Sequence, residues 1–136
     1  MASINKRIPL DADVDTAWAA VRDVGNAHHV FGPVLTDCRL DDDATRVVTF
    51  ANGMVVHERI VDVDDDARRL AYTVLDGPFT HHHATFQVTA EPDGTSVLTW
   101  VSDLLPDDAA PMVADLMEQG ALAAQHALDR RTRLAP

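Results

Sequence analysis

Cysteine occurs once in the 136 residues, at Cys38, so no intramolecular disulfide can form. No stretch approaches the roughly 20 consecutive apolar residues that span a bilayer, and the opening MASINKRIPL lacks a long apolar core of the secretory kind. These absences predict a cytoplasmic protein with no membrane insertion. Positive charge is also scarce. Eleven Lys and Arg stand against 22 Asp and Glu, a formal net charge of −11. Such a surface favours solubility and repels phosphate backbones, so no nucleic acid is expected as a partner. A glycine-rich phosphate cradle, a dinucleotide fingerprint and a GxSxG elbow are all missing, which argues against nucleotide cofactors and triad hydrolysis. No CxxC or HExxH pattern offers a metal site. The expectation is therefore a chain with no cofactor and no metal.

What remains is an ordinary globular composition, 46% hydrophobic and 24% charged. Residues 1–136 fit one domain, which can bury roughly 68–70% of its unfolded surface. That suffices for a core, or for a core hollowed by one cavity. Residues 3–10 alternate polar and apolar, as a half-buried strand does. Asp13 or Asp15 is placed to cap a helix carrying Trp18 and Val21, with Gly25 as its stop. A second short helix over 26–31 ends at Gly32-Pro33.

Six further strands follow, at 35–40, 46–50, 54–63, 70–75, 81–90 and 96–104. Turn signals separate them: Asp41-Asp42-Asp43, Asn52-Gly53, Asp64-Asp65-Asp66, Asp76-Gly77-Pro78 and Pro92-Asp93-Gly94. Loops this short join neighbours, so the sheet is predicted to be an antiparallel meander. The period then changes. From about Asp107 to Arg130 a long helix places Val113, Leu116, Met117, Gly120, Ala124 and Ala127 on one stripe. Acidic residues suit its start, and Arg130, Arg131 and Arg133 suit its end.

Alternation sorts the strand side chains into two faces. His82, Ala84, Phe86 and Val88 share one face, and His81, His83, Thr85 and Gln87 the other. Leu98, Trp100, Ser102 and Leu104 line up together, as do Leu70, Tyr72 and Val74, and Arg46, Val48 and Phe50. The 54–63 strand is ambiguous: Val56, Glu58 and Ile60 share one face, while Val55, Val61 and Val63 occupy the other.

The order strand, two short helices, six strands, long helix resembles the START-related helix-grip superfamily, in its polyketide cyclase/dehydrase-like (SRPBCC) branch. Four patterns carry the likeness: Val14-x-x-x-Trp18-x-x-Val21; Asn52-Gly53 followed by Glu58-Arg59-Ile60; Leu70-x-Tyr72-x-Val74 leading into Gly77-Pro78; and Val97-x-x-Trp100-x-x-x-Leu104 before Pro106. The resemblance implies an α+β helix-grip fold, a curved antiparallel sheet of about seven strands wrapped around the C-terminal helix. It also implies a cavity between them for lipids, polyketides, steroids or aromatic hormones. A glutamate at the matching position points into the cavity of related hormone receptors, which turns Glu58 inward. Related enzymes often carry tyrosine where His82 falls.

The expected cavity is of the ~300–1,000 Å³ class, mostly apolar, with few polar groups to orient a ligand. Its ligand-binding wall is predicted to comprise Arg46, Val48, Phe50, Val56, Ile60, Val74, Ala84, Phe86, Leu98, Trp100, Ser102, Val113, Met117 and Gly120. Gly120 would make room for the ligand or for close helix–sheet packing. Glu58, His82 and Tyr72 are the candidate catalytic acid/base groups. His81 and His83 stand ~7 Å apart on one strand face without completing a metal site. Cys38 lacks any nucleophile signature, and His28-His29 fall at a pocket rim. The first expectation for function is a carrier or sensor of a small hydrophobic molecule, acting as monomer or homodimer. A cyclase or dehydratase without a nucleotide cofactor is the alternative, and a partner-regulating module the third.

Overall fold

The computed structural model describes residues 1–42 and 44–134. Asp43 of the acidic turn lies outside the described residues, as does the side chain of Arg133. In chain order the elements are β1 (Ala2–Leu10), α1 (Val14–Val21), α2 (Ala27–Phe31), β2 (Leu35–Leu40), β3 (Thr45–Phe50), β4 (Val55–Asp64), β5 (Arg69–Val74), β6 (His81–Ala90), β7 (Ser96–Leu105) and α3 (Ala110–Leu134). The strands form a single curved sheet in the order β1-β7-β6-β5-β4-β3-β2, and every neighbouring pair is antiparallel. Thus β2 to β7 run as the expected meander, and β1 closes onto β7.

Local chemistry explains the helix starts. Asp13 caps α1, its carboxylate accepting from the Thr16 amide at 2.7 Å. Gly25 is not the stop predicted for that helix: α1 ends at Val21, capped at Arg22, and Gly25 lies in a 3-10 turn. A Cβ there would stand 3.2 Å from Leu40 Cγ, so any larger residue would have to push the half-exposed Leu40 side chain aside. The β3–β4 hairpin turns through Gly53 at φ +91°, the left-handed region that glycine enters without a penalty. A 3-10 turn at Asp107–Ala109 precedes α3, which therefore starts slightly later than its acidic residues suggest.

The 25 residues of α3 lie across the concave face, burying Val113, Met117, Gly120, Ala124, Ala127 and Leu128. Alternation holds along β6, where His82, Ala84, Phe86 and Val88 are buried and the intervening residues are not. The ambiguous strand resolves through a bulge. Ile60 pairs with Tyr72, but Asp62 pairs with Ala71 and Val63 with Leu70. One extra residue shifts the phase, because two residues then oppose one across the ladder. Val56, Glu58 and Ile60 consequently face inward before the bulge, and Val63 packs against the core after it. Placing Val63 with Val55 and Val61 was therefore incorrect; those two are 51% and 56% exposed.

Candidate functional site: an apolar cavity with one charged wall

Between the sheet and α3 the side chains leave a cavity, and β3 and β4 give it a charged wall. Arg46 and Glu58 pair across the ladder, and the guanidinium Nε donates to Glu58 Oε1 at 2.8 Å. Both residues are buried, at 4% and 7% exposure. Arg46 Nη1 also donates to the Val24 carbonyl at 3.2 Å, and its Cζ sits 5.3 Å from the centre of the Tyr72 ring. Burial works against the Arg46 charge, but the Glu58 carboxylate more than offsets it.

The floor is aromatic. Phe86 lies 4.9 Å from Trp100 and 5.7 Å from Tyr72 between ring centres, and Phe31 of α2 closes over both Phe86 and Trp100. Trp100 Nε1 donates to the Tyr72 hydroxyl at 3.2 Å. Burial first, and then the Glu58 charge, raise Tyr72 well above the ordinary phenol value. Its proton stays on at neutral pH.

His82 occupies the opposite wall. Its Nε2 lies 3.4 Å from Ser102 Oγ, Phe79 meets its ring edge-on at 4.5 Å, and its Nδ1 is buried without a partner. Desolvation, followed by the neighbouring His81 and His83, lowers His82 to about 4. The imidazole is therefore neutral at pH 7, with one nitrogen to donate and one to accept. Glu58 sits opposite Val74, and the Thr73–His83 pairing carries His82 to the other side of Val74. Two strand spacings, roughly 10 Å of backbone, separate Glu58 from His82.

Of the predicted wall, the structure brings together Arg46, Val48, Phe50, Val56, Val74, Phe86, Trp100, Ser102, Val113, Met117 and Gly120, with Glu58, Tyr72 and His82. Three predictions fail. Ile60, Ala84 and Leu98 do not line the cavity and pack in the adjoining core instead. Ala84 sits in register between Tyr72 and Ser102, and its single methyl does not reach past such neighbours. Leu98 belongs to the end of β7 paired with Ile8 and Val88, where the core is solid. Ile60 is the last residue before the bulge turns β4.

Sequence reasoning missed Phe31, Val34, Leu35, Met54, Phe79 and Met112 on the wall, and Leu116, which it set on the apolar stripe of the helix but not at the cavity. Most come from loops and from the ends of helices and strands, where periodicity is too short to orient a side chain. The aromatic after Gly77-Pro78 and the Met after Asn52-Gly53 were the available signals. His28 and His29 are not at this rim at all; α2 turns them towards the far end of α3.

The expected volume also needs correction. The cavity is small, about 90 Å³, less than the roughly 300–1,000 Å³ class of ligand pockets. The rings themselves occupy the space. A Cβ on Gly120 would stand 3.0 Å from Trp100 Cζ3, so the missing side chain makes room for the indole. The remaining candidates stay outside. Cys38 is buried, donates to the Val24 carbonyl at 3.5 Å, and has its thiol pushed up by burial, which keeps it protonated and unreactive. His81 is exposed on the convex side, and His83 Nδ1 lies 3.3 Å from the Thr73 hydroxyl.

A family model described as polyketide cyclase / dehydrase and lipid transport matches residues 1–131. Solved structures share the architecture. XoxI from Bacillus cereus is 19% identical, with a TM-score of 0.86 over 94% of this chain and 96% of that one. A protein from Thermobifida fusca is 25% identical, with a TM-score of 0.78 over 96% and 93%. A START superfamily protein from Mycobacterium smegmatis is 16% identical, with a TM-score of 0.72 over 98% and 99%. No curated protein matches the chain.

Proposed function

The chain belongs to the polyketide cyclase/dehydrase and lipid transport family, and on that footing we propose that it binds a small hydrophobic molecule between sheet and α3, as carrier or sensor. The observation that carries the reading is the buried Arg46–Glu58 pair on the wall of an otherwise apolar cavity. Folding alone gives little reason for it, because a buried ion pair is often replaceable by apolar residues at no cost in stability. A ligand with a polar end does give one. The apolar wall supplies affinity, and the pair, the Tyr72 hydroxyl and the neutral His82 orient that end. Entry displaces the Phe31–Trp100–Phe86 cluster, which fills the space when nothing is bound.

The second reading, a cyclase or dehydratase, uses the same three groups. Their protonation favours binding over turnover. Efficient general acids and bases titrate near the working pH, whereas Tyr72 is raised by burial and His82 is lowered to about 4. Glu58 is held by Arg46.

Native mass spectrometry against a panel of neutral planar aromatics and long-chain alcohols tests the reading. One-to-one complexes with members of the panel are expected, and the folded double variant Arg46→Met/Glu58→Leu should lose those whose ligand carries a polar end. No complex with any member contradicts the proposal. Catalytic turnover of a bound polyketide-like molecule, abolished by Glu58→Gln or His82→Phe with binding retained, replaces it with the second reading.

A further inference from the structure

Past Gly120, the face of α3 that meets α2 bounds a second concavity, separate from the apolar cavity. Ala123, Ala127 and Gly32 form a floor of small residues in a groove of about 680 Å³, and His28, His29, His126, Arg130 and Arg131 stand around it. Gly32 is required by space, since a Cβ there would lie 2.9 Å from the His28 carbonyl oxygen.

The charge of this groove runs against that of the chain. Three imidazoles and two guanidiniums converge, and none of its lining residues is a carboxylate, in a protein with twice as many acidic as basic residues. Most cations elsewhere are neutralised: Lys6, Arg7, Arg22, Arg39, Arg46 and Arg68 each pair with an acid, while Arg59 and Arg69 stand singly on their strands with no ion pair among the described residues. Arg130 and Arg131 are exposed and make no ion pair among the described residues. The His28 and His29 rings lie 4.3 Å apart, and His28 Nδ1 is buried with no hydrogen-bond partner. Arginines at a helix C-terminus complement its dipole. That effect accounts for Arg130 and Arg131, but not for imidazoles arriving from α2 or for the orphaned nitrogen.

We propose that this groove binds a phosphomonoester, a dianionic tetrahedral group gripped by the forks of Arg130 and Arg131 and by the His28 and His126 imidazoles. Guanidinium forks match phosphate oxygens in pairs, and two of them balance a dianion better than a single carboxylate. A soluble metabolite and a phosphatidic acid headgroup present the same group. The net charge of −11 opposes approach to a membrane rich in that lipid, which favours the soluble source.

Isothermal titration with phenyl phosphate, with benzoate as a monoanionic control, tests this independently of the apolar cavity. Saturable binding of phenyl phosphate is expected, stronger than that of benzoate. It should weaken roughly tenfold or more in Arg130→Ala/Arg131→Ala, as expected for losing charge-assisted bonds. Arg59→Ala/Arg69→Ala, on the strands, should leave it unchanged. The imidazole NMR signals of His28 and His126 should move while that of His81 stays. Co-sedimentation with phosphatidylcholine vesicles, with and without phosphatidic acid, separates the sources. Binding to the phosphatidic acid vesicles alone, lost in the Arg130/Arg131 variant, assigns the group to a lipid headgroup. Absence of binding in both arms, or equal weakening in the two double variants, overturns the proposal.

Discussion

Arg46 and Glu58 sit on the concave side of adjacent strands with 2.8 Å between nitrogen and oxygen, and removing one leaves the other charged in a dry site. Glu58→Gln should therefore cost roughly 3–5 kcal/mol, and Arg46→Met/Glu58→Leu much less, by urea denaturation. An equal loss in both would mean that the fold itself needs the charges. His82 sets a pH dependence of its own. The unfolded imidazole takes a proton near 6.5 and the folded one only near 4, so in between protonation favours the unfolded chain. Stability should fall as pH drops through that window, and His82→Phe should flatten the fall. A variant with the same acid limb as the wild type would show that His82 is already wet in the folded state. At this scale the sequence was partly legible. Period-two alternation puts His82, Tyr72, Arg46 and Trp100 on the inward faces, but on the 54–63 strand it is ambiguous, and only the family resemblance turns Glu58 inward. The Trp100–Tyr72 hydrogen bond and the orphaned His82 Nδ1 depend on three-dimensional neighbours that no spacing encodes.

Among the elements, β2, β6 and the short helix α2 were readable almost to the residue, because glycine, Gly-Pro, Asp-rich and Pro-Asp-Gly turn signals bracket them. The bulge in β4 was not. A one-residue slip is decided by the partner strand, and within β4 itself the valines at 61 and 63 look alike. Their environments now make opposite predictions. Val63→Ser should destabilise by about 1 kcal/mol or more, having lost a packed side chain, while Val61→Ser should stay within about 0.5 kcal/mol. Matching losses would remove the bulge from the account. Gly120 on α3 illustrates the same limit: its place on the apolar stripe was evident, but what filled the gap was not. Gly120→Ala would gain up to about 1 kcal/mol of helix propensity, yet the new methyl meets the Trp100 ring at 3.0 Å. Overpacking of this kind costs about 1–3 kcal/mol, so a net loss of stability and a shifted Trp100 fluorescence are expected. A stabilised variant with unchanged emission would show that the indole has room to spare.

For the molecule as a whole, hydrophobic periodicity and turn chemistry carried the helix-grip architecture, since each strand from β2 to β7 pairs with its sequence neighbour and α3 has one apolar stripe to bury. Cavity volume was beyond such reasoning. It is the small difference between the space enclosed by a curved sheet and the side chains that fall into it, and four aromatic rings settle it. Those rings also supply the means of testing the central claim, that apolar molecules enter between sheet and α3. The protein has two tryptophans. Trp100 lines the cavity and bonds to Tyr72, whereas Trp18 lies on α1 with its indole N–H donated to Asp65 at 2.8 Å. Their two indole N–H resonances, followed by NMR during titration with neutral planar aromatics and long-chain alcohols, report inside and outside at once. Binding in the cavity predicts a saturable shift of the Trp100 signal with Trp18 unmoved. A Trp100 signal that stays fixed throughout the panel, or moves only together with Trp18, contradicts it.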